Sequence, residues 1–448
     1  MGPATDRQVL KNKGDFPRHR ILAAAIWGSV SHIMAQRICI LGLGYIGLPL
    51  AAVLARHDLQ IIGVDINQQA VQTINQGRIH IYEPGLEEMV RTAVSSGRLR
   101  AYEKPQTADT YLICVPTPFH AGTVIPQANI DYVLAAARSI APLVKAGDVI
   151  ILESTSPVGT TERVAEVLAE AGAEVAALHI AYCPERVLPG RIIEELTGNN
   201  RIVGGLNKAA ARAAADFYRI FVTGEVVETD ARTAEMCKLA ENSFRDLNIA
   251  YANELSMICD RQGIDVWNLI ALANKHPRVN ILQPGPGVGG HCIAVDPWFI
   301  VASAPDLSPL IRTGREVNNR KAHWVVEKIV ARAEALAREL GRPPRLSCYG
   351  LAFKPDIDDL RESPALEIAG DLARRGYEVL AVEPNITSHG DFRLLGVDEA
   401  LQQGDLHLIL VKHRPFAEAA VKKRLREAGA MDFCGLFASP GGGLAPPP

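Results

Sequence analysis

Residues 285–297 read GPGVGGHCIAVDP: four glycines and a proline lead to one cysteine, Cys292, and an acid, Asp296, follows four residues later. A thiol carried by so permissive a backbone suits attack on a carbonyl, because the thiolate is a strong nucleophile and glycines let the main chain approach a ligand closely. An inert core thiol is the other reading of such a residue. Upstream, Lys238, Asn242 and Arg245 stand at i, i+4 and i+7. On a helix they cluster within roughly 60° of one another. Met236, Leu239, Ala240, Leu247 and Ala250 point the other way. Such a stripe is usually a solvated face. This one carries no acid and lies between two nucleotide-type lobes, so it suits a charged, hydroxyl-rich ligand.

A second chemical signature is GLGYIG at 42–47, which follows the strand-like RICIL (37–41) and opens the helix-like LPLAAVLARH. Gly42 fits a tight turn, Gly44 a close approach to a pyrophosphate and Gly47 close packing of helix on strand. The free N–H groups at the helix start would meet the anion. The next strand, QIIGVDI (60–66), carries Asp65 near its end. An acid there accepts hydrogen bonds from a ribose and repels a 2′-phosphate, so NAD is expected rather than NADP. Thr117 in VPTP and Thr155 in ESTSPVG sit at two further strand ends, where ligands collect in parallel sheets. Either could equally cap a turn.

These residues need a scaffold of alternating elements. Strands are expected at 110–116, 148–155 and 179–185, and helices at 131–143 and 160–171. That is the pattern of a parallel, doubly wound sheet. Long helical periodicity takes over from about 208, including an unbroken segment at 232–263. Strands at 345–353, 377–384 and 406–411 with a helix at 363–376 make a second βαβ region. The expectation is an α/β protein of two Rossmann-like doubly wound lobes joined by a central helical segment. Its units are an extension over 1–33 with Met34 as the natural first residue, an NAD-binding Rossmann-like domain over 34–207, a central helical domain over 208–335, a second α/β domain over 336–435, and a disordered tail over 436–448.

Composition narrows the classes of function. The 448 residues are 48% apolar and 22% charged with a net charge of −3, and no basic stripe marks a nucleic-acid partner. No apolar run approaches the ~18–20 residues that span a bilayer. The eight cysteines are dispersed, with no CxxC pair and no histidine cluster at metal-ligand spacing, so no metal is expected. Such a chain belongs in a reducing cytoplasm.

The stretches LGLGYIGLP, VPTPF, ILESTSPVGT, AYCPERVLPG, RTAEMCKLAENSFRD, NKHPRVNILQPGPGVGGHCIAVDPWF and GLAFKPDIDDLRESPA carry a resemblance that covers about residues 36 to 430. Together they resemble the UDP-glucose/GDP-mannose dehydrogenase family. That resemblance implies a UDP-sugar substrate, NAD, dimerisation and substrate binding by the 208–335 domain, UDP-sugar binding by the 336–435 domain, a homodimer or higher homo-oligomer, and a role in surface polysaccharide synthesis. It implies Cys292 as nucleophile, with Lys238 and Asn242 handling protons and oxyanion charge and Asp296 an acid of the same site. Glu185 in CPER would serve hydrolysis, and Thr155 would lie near the reacting carbon and the cofactor. Tyr45, Ile46, Asp65, Thr117 and Arg361 match NAD contacts. Arg186, Val187, Lys238, Asn242, Arg245, His276, Arg278, Gly289, Phe353 and Lys354 match the nucleotide-sugar site.

Two departures bear on the substrate. Pro189 stands where UDP-glucose enzymes of the family carry a second glutamate, and CIAVD replaces their CLPKD. Both resemble the branch that takes N-acetylated sugars, and both leave water activation to Glu185. The implied reaction takes a C6 alcohol to a carboxylate with two NAD, through a thiohemiacetal and a thioester on Cys292. A two-electron hydroxyacid dehydrogenase is one rival reading; a nucleotide-sugar sensor without catalysis is another.

Overall fold

The computed structural model describes residues 36–438, apart from 121, 124, 189 and 291. The expected extension over 1–33, the tail beyond 438 and the departure at Pro189 lie outside the described residues.

Two sheets organise the chain. The first contains β1 (Arg37–Leu41), β2 (Gln60–Val64), β3 (Leu99–Tyr102), β4 (Thr110–Ile113), β5 (Val149–Leu152), β6 (His179–Tyr182), β7 (Arg201–Gly205) and β8 (Val226–Asp230). Their order is β3-β2-β1-β4-β5-β6-β7-β8, and only the β6–β7 pair is antiparallel. β4 and β5 are buried along their whole length. Helices cover both faces of such a sheet, so its central strands read as continuous apolar runs rather than alternating ones. The second sheet contains β9 (Leu346–Tyr349), β10 (Val379–Val382), β11 (Leu406–Ile409) and β12 (Met431–Asp432), in the parallel order β10-β9-β11-β12.

Three expected boundaries move. The first lobe does not end at 207, because β8 pairs along its length with β7. The alanine-rich helix Lys208–Tyr218 packs its Ala210, Ala211, Ala214 and Ala215 face on that sheet. Its helical periodicity therefore marks a layer of the lobe, not a new domain. Position 336 falls inside a helix, Pro309–Leu340, whose Val325, Val326, Ile329 and Ala333 enter the core of the second sheet. Leu436 is also buried, packed with Phe416 and Leu425, so the second lobe passes 435.

The connector helix Ala231–Gln262 is capped by Asp230, whose carboxylate accepts from Thr233 N, and it stops at Gly263 in the left-handed conformation. Its apolar face differs from the expected one. Leu239 and Ala250 are buried, but Met236 and Ala240 are exposed, in company with Phe244, Tyr251 and Ile258.

A buried polar network ties the connector to the return helix Pro309–Leu340. Arg315 Nη1 donates to Asp246 Oδ1 at 2.6 Å, and Asn318 Nδ2 donates to the same oxygen at 2.7 Å. Asn253 Nδ2 donates to Asn318 Oδ1 at 2.9 Å, while Asn253 Oδ1 accepts from Gly285 N at 2.9 Å. Arg315 also reaches the carbonyls of Ile293 and Val288 at 3.4 and 3.5 Å. The segment carrying Cys292 is thus held by the two longest helices. Burial pushes Asp246 up to about 6, against the pull of Arg315 and Asn318.

Removing one partner of such a pair leaves an uncompensated buried charge, so Arg315→Ala should destabilise the fold by about 3–5 kcal/mol near neutral pH. The loss should shrink at about pH 5, where Asp246 takes up a proton and no bare charge is left behind. Urea midpoints of both proteins at the two pH values check this.

Candidate active site

The carboxyl ends of β1, β4, β5 and β6 open into one cleft of ≈ 2890 Å³ between the two lobes, with the connector helix along its floor. Single-ligand sites commonly measure about 300–1,000 Å³, so this cleft has room for two large ligands.

Its first wall is the glycine turn. Gly42 has φ +93°, and a Cβ there would lie 2.6 Å from Cys114 O, so the turn after β1 tolerates no side chain. A Cβ on Gly47 would lie 1.8 Å from Gly42 O, which fixes the helix Gly47–Leu54 close behind the turn. Gly47 itself lies beneath the surface and does not line the cleft, whereas Gly44 faces open space. Asp65 Oδ2 accepts from Leu43 N at 2.9 Å and Oδ1 from Asn67 N at 2.8 Å. Each oxygen keeps a lone pair for a ribose hydroxyl. These features fit NAD: open space over Gly44 for a pyrophosphate, an unpaired helix start and a pinned acid for the ribose. Tyr45, Ile46, Thr117 and Thr155 line the same wall. Thr117 Oγ1 donates to Thr155 O at 2.7 Å, joining the ends of β4 and β5. Arg361 reaches across from the second lobe, paired with Asp359 at 2.8 Å and placed 5.7 Å over the Tyr45 ring.

The thiol occupies the deeper part. Cys292 is open to the cleft yet walled by protein on most sides. Its glycine approach has a cause in packing. A Cβ on Gly289 would lie 2.2 Å from Glu362 O, and one on Gly290 2.8 Å from the Phe353 ring. The glycines therefore seat the thiol loop against the second lobe. Burial and the nearby Asp296 push the Cys292 thiol up; Lys238, Arg361 and Lys354 pull it down, and the upward effects win. Lysine alone does not make a resting thiolate here. Asn242 Nδ2 donates to Asp296 Oδ2 at 2.5 Å, and burial raises that acid to about 6. Lys238 Nζ donates to Glu185 O at 2.8 Å.

Glu185 is buried between two donors. Arg186 N meets Oε1 at 2.5 Å and Arg201 Nη1 meets Oε2 at 2.8 Å. The Arg186 side chain pairs with Glu241 at 2.5 Å on the cleft wall. Val187, Arg245, Gly289, Phe353 and Lys354 also line the cleft, and burial lowers the lysine.

Two expected residues do not join the site. His276 and Arg278 are exposed and do not line the cleft. Asn274 bonds Ile281 in both directions, at 2.9 and 2.7 Å, and so closes residues 275–280 into a loop that projects into solvent. Conversely, Arg201, Glu153 and Tyr218 were not singled out from sequence. Arg201 and Glu153 stand at the edges of apolar runs and Tyr218 lies within one, so no spacing marked them as site residues. Glu383 and His413, both buried, form a pair at 3.0 Å, and Asp356 N donates to His413 Nδ1 at 2.9 Å, which holds the Phe353–Lys354 loop. Among the described residues, no group of three or more His, Cys, Asp or Glu could hold a metal ion, and no helix is long and apolar enough to cross a membrane.

Three models of the UDP-glucose/GDP-mannose dehydrogenase family match in order: the NAD binding domain over 36–222, the central domain over 232–320 and the UDP binding domain over 347–439. A UDP-N-acetyl-D-mannosamine dehydrogenase of Escherichia coli (strain K12) is 56% identical over 85% of this chain and 94% of its own length. An NDP-N-acetyl-D-galactosaminuronic acid dehydrogenase of Ralstonia nicotianae is 50% identical over 90% of this chain and 97% of its own. The native structure of a UDP-N-acetyl-mannosamine dehydrogenase from Staphylococcus aureus superimposes with a TM-score of 0.79 at 41% identity, covering 90% of this chain and 96% of the other.

The charges around the thiol set its reactivity before any substrate binds. At about pH 8, Asp296→Asn should speed iodoacetamide labelling of Cys292 by about three- to tenfold, because a like charge is removed. Lys238→Ala should slow it by a similar factor. Peptide mass spectrometry against time reads both.

Proposed function

Because this chain belongs to the UDP-glucose/GDP-mannose dehydrogenase family and is an NAD-dependent UDP-sugar dehydrogenase, we propose that it oxidises C6 of UDP-N-acetyl-D-mannosamine to the uronate. The observation that carries the chemistry is the meeting of Cys292, Lys238, Asn242 and Asp296 in a cleft that also holds the glycine turn. The sugar rests on the relatives' names and on CIAVD in place of CLPKD. UDP-N-acetylglucosamine and UDP-glucose are the alternatives.

NAD, when bound, supplies the hydride acceptor for both oxidations. The residues of this chain do the rest. The Gly42–Gly47 turn and Asp65 bind and orient the dinucleotide, with Tyr45, Ile46, Thr117 and Arg361 beside it. Lys354, Phe353, Arg186, Val187 and Arg245 hold the nucleotide sugar. Once C6 is an aldehyde, the Cys292 sulfur adds to it and the thiol proton passes to the carbonyl oxygen. The thiohemiacetal so formed cannot diffuse away. Lys238 and Asn242 stabilise negative charge on that oxygen, and a single donor of this kind is commonly worth ~10²–10³ in rate. Asp296 orients Asn242. After the second oxidation a thioester remains. Glu185 takes a proton from the attacking water, the C–S bond breaks, and the sulfur recovers its proton. The resting thiol keeps that proton until the carbonyl arrives, since burial and Asp296 disfavour a free thiolate.

The chain works as a homodimer or larger homo-oligomer in this reading. Phe244, Tyr251 and Ile258 recur every seven residues and form an exposed apolar stripe on the connector helix. The unpaired thiols, all eight free, suit a cytoplasmic enzyme that supplies uronates for surface polysaccharide.

Cys292→Ser should keep UDP-sugar affinity within about twofold and yield no acid, since an alcohol is a far weaker nucleophile than a thiol at neutral pH. Full turnover by that variant would remove the covalent route. Across a panel of UDP-sugars, the mannosamine derivative should give the highest kcat/KM, with two NADH formed per sugar; one NADH per sugar would mark a two-electron dehydrogenase instead.

A further inference from the structure

Glu153 is a buried carboxyl, 2% exposed, that the proposed reaction leaves unused. It follows β5 by one residue and precedes Thr155 by two. Tyr218 from the helix Lys208–Tyr218 donates to its Oε1, and the Cys114 thiol, after β4, donates to Oε2 at 3.4 Å. Both donors are neutral. Cys183 and Glu185 approach from the end of β6, and Arg201 from β7. Lys238, on the connector helix, is bonded to Glu185 O. Arg201 is the cation of this buried group, and it is committed to Glu185 at 2.8 Å, with its other amino group on Leu196 O at 3.0 Å. Two carboxyls at the buried wall of the cleft thus lie near one guanidinium, which bonds only one of them.

We propose that Glu153 is a positioning residue for hydrolysis: its charge state, felt through Arg201, sets how strongly Glu185 draws a proton from the attacking water. The inference rests on Glu185 serving the thioester-hydrolysis step. Like charges in a buried pair oppose each other's ionisation, so the member without the direct arginine bond keeps its proton to higher pH. Burial, then Glu185, push Glu153 up to about 7, against Arg201 and Tyr218. Below that pH Glu153 is neutral and Arg201 serves Glu185 alone, which weakens its pull on the water proton. Above it, the second negative charge competes for Arg201 and strengthens that pull. No net atom or electron changes hands at Glu153; it loses and regains one solvent proton with pH.

The test measures acid release against pH in the full chain with NAD and UDP-N-acetyl-D-mannosamine, together with the mass of acid-quenched enzyme. In the wild type, hydrolysis should rise roughly tenfold through neutral pH, a modest share of what a general base supplies. Glu153→Gln should stay at the low-pH rate, with KM for NAD and sugar unchanged, and should accumulate the acyl adduct on Cys292. Tyr218→Phe removes a bond that favours ionised Glu153, so it should move the rise to higher pH; it also serves if Glu153→Gln does not fold. Glu185→Gln is the control and should accumulate the adduct at every pH. If that control carries no adduct, the hydrolysis reading falls and this inference with it. If the control carries the adduct while both other variants match the wild-type profile, the role of Glu153 alone is overturned.

Discussion

The contact between Asp246 and Arg315 decides where the thiol can be. It is buried, crosses from the connector helix to the return helix, and gathers Asn318 and Asn253 around it. Through Asn253 it fixes Gly285, and through Arg315 it reaches the carbonyls of Val288, within the glycine run, and of Ile293, just after Cys292. A loop with four glycines has high conformational entropy when free. Without a rigid polar anchor, it could not hold one sulfur at a fixed distance from the ends of four strands. The two long helices supply that anchor, and the second lobe closes the other side with Phe353 and Glu362.

Inside the cleft, electrostatics are balanced rather than uniformly activating. Asp296 opposes ionisation of Cys292, while three cations, one of them Lys238 on the connector helix, favour it. Two of those cations, Lys354 and Arg361, belong to the second lobe. The thiol therefore feels the connector helix and the second lobe at once, and any change in their separation alters its reactivity. The same logic governs the corner around Glu185, where Arg201 stands between a carboxylate it binds and a carboxyl, Glu153, that it does not. A low dielectric makes such shared charges strong, so small rearrangements carry large effects.

The connector helix has two unlike faces. One face of the helix offers Lys238 and Asn242 to the cleft, and another leaves Phe244, Tyr251 and Ile258 in water. The same helix therefore lines the cleft on one side and presents an exposed apolar stripe on the other. The expected core face was misplaced for this reason: Met236 and Ala240 obey helical periodicity, but periodicity cannot say whether an apolar face meets its own chain or another.

Local spacing was enough for much of the protein. The glycine turn, Asp65, the strands from RICIL to LHLIL, the connector helix with its stop at Gly263 and the cleft-facing polar stripe all follow from rules that act over one or two turns or strands. Only tertiary structure decided the rest. Residues 208–230 joined the first sheet because β8 found β7, a pairing that helical periodicity cannot announce. His276 and Arg278 left the site because Asn274 closes their loop outward. Arg201, Glu153, Asp246 and Arg315 became a working framework only when folding buried them together. A charge's partner and its solvent are set by residues dozens of positions away, so neither is written in the neighbouring letters of the chain.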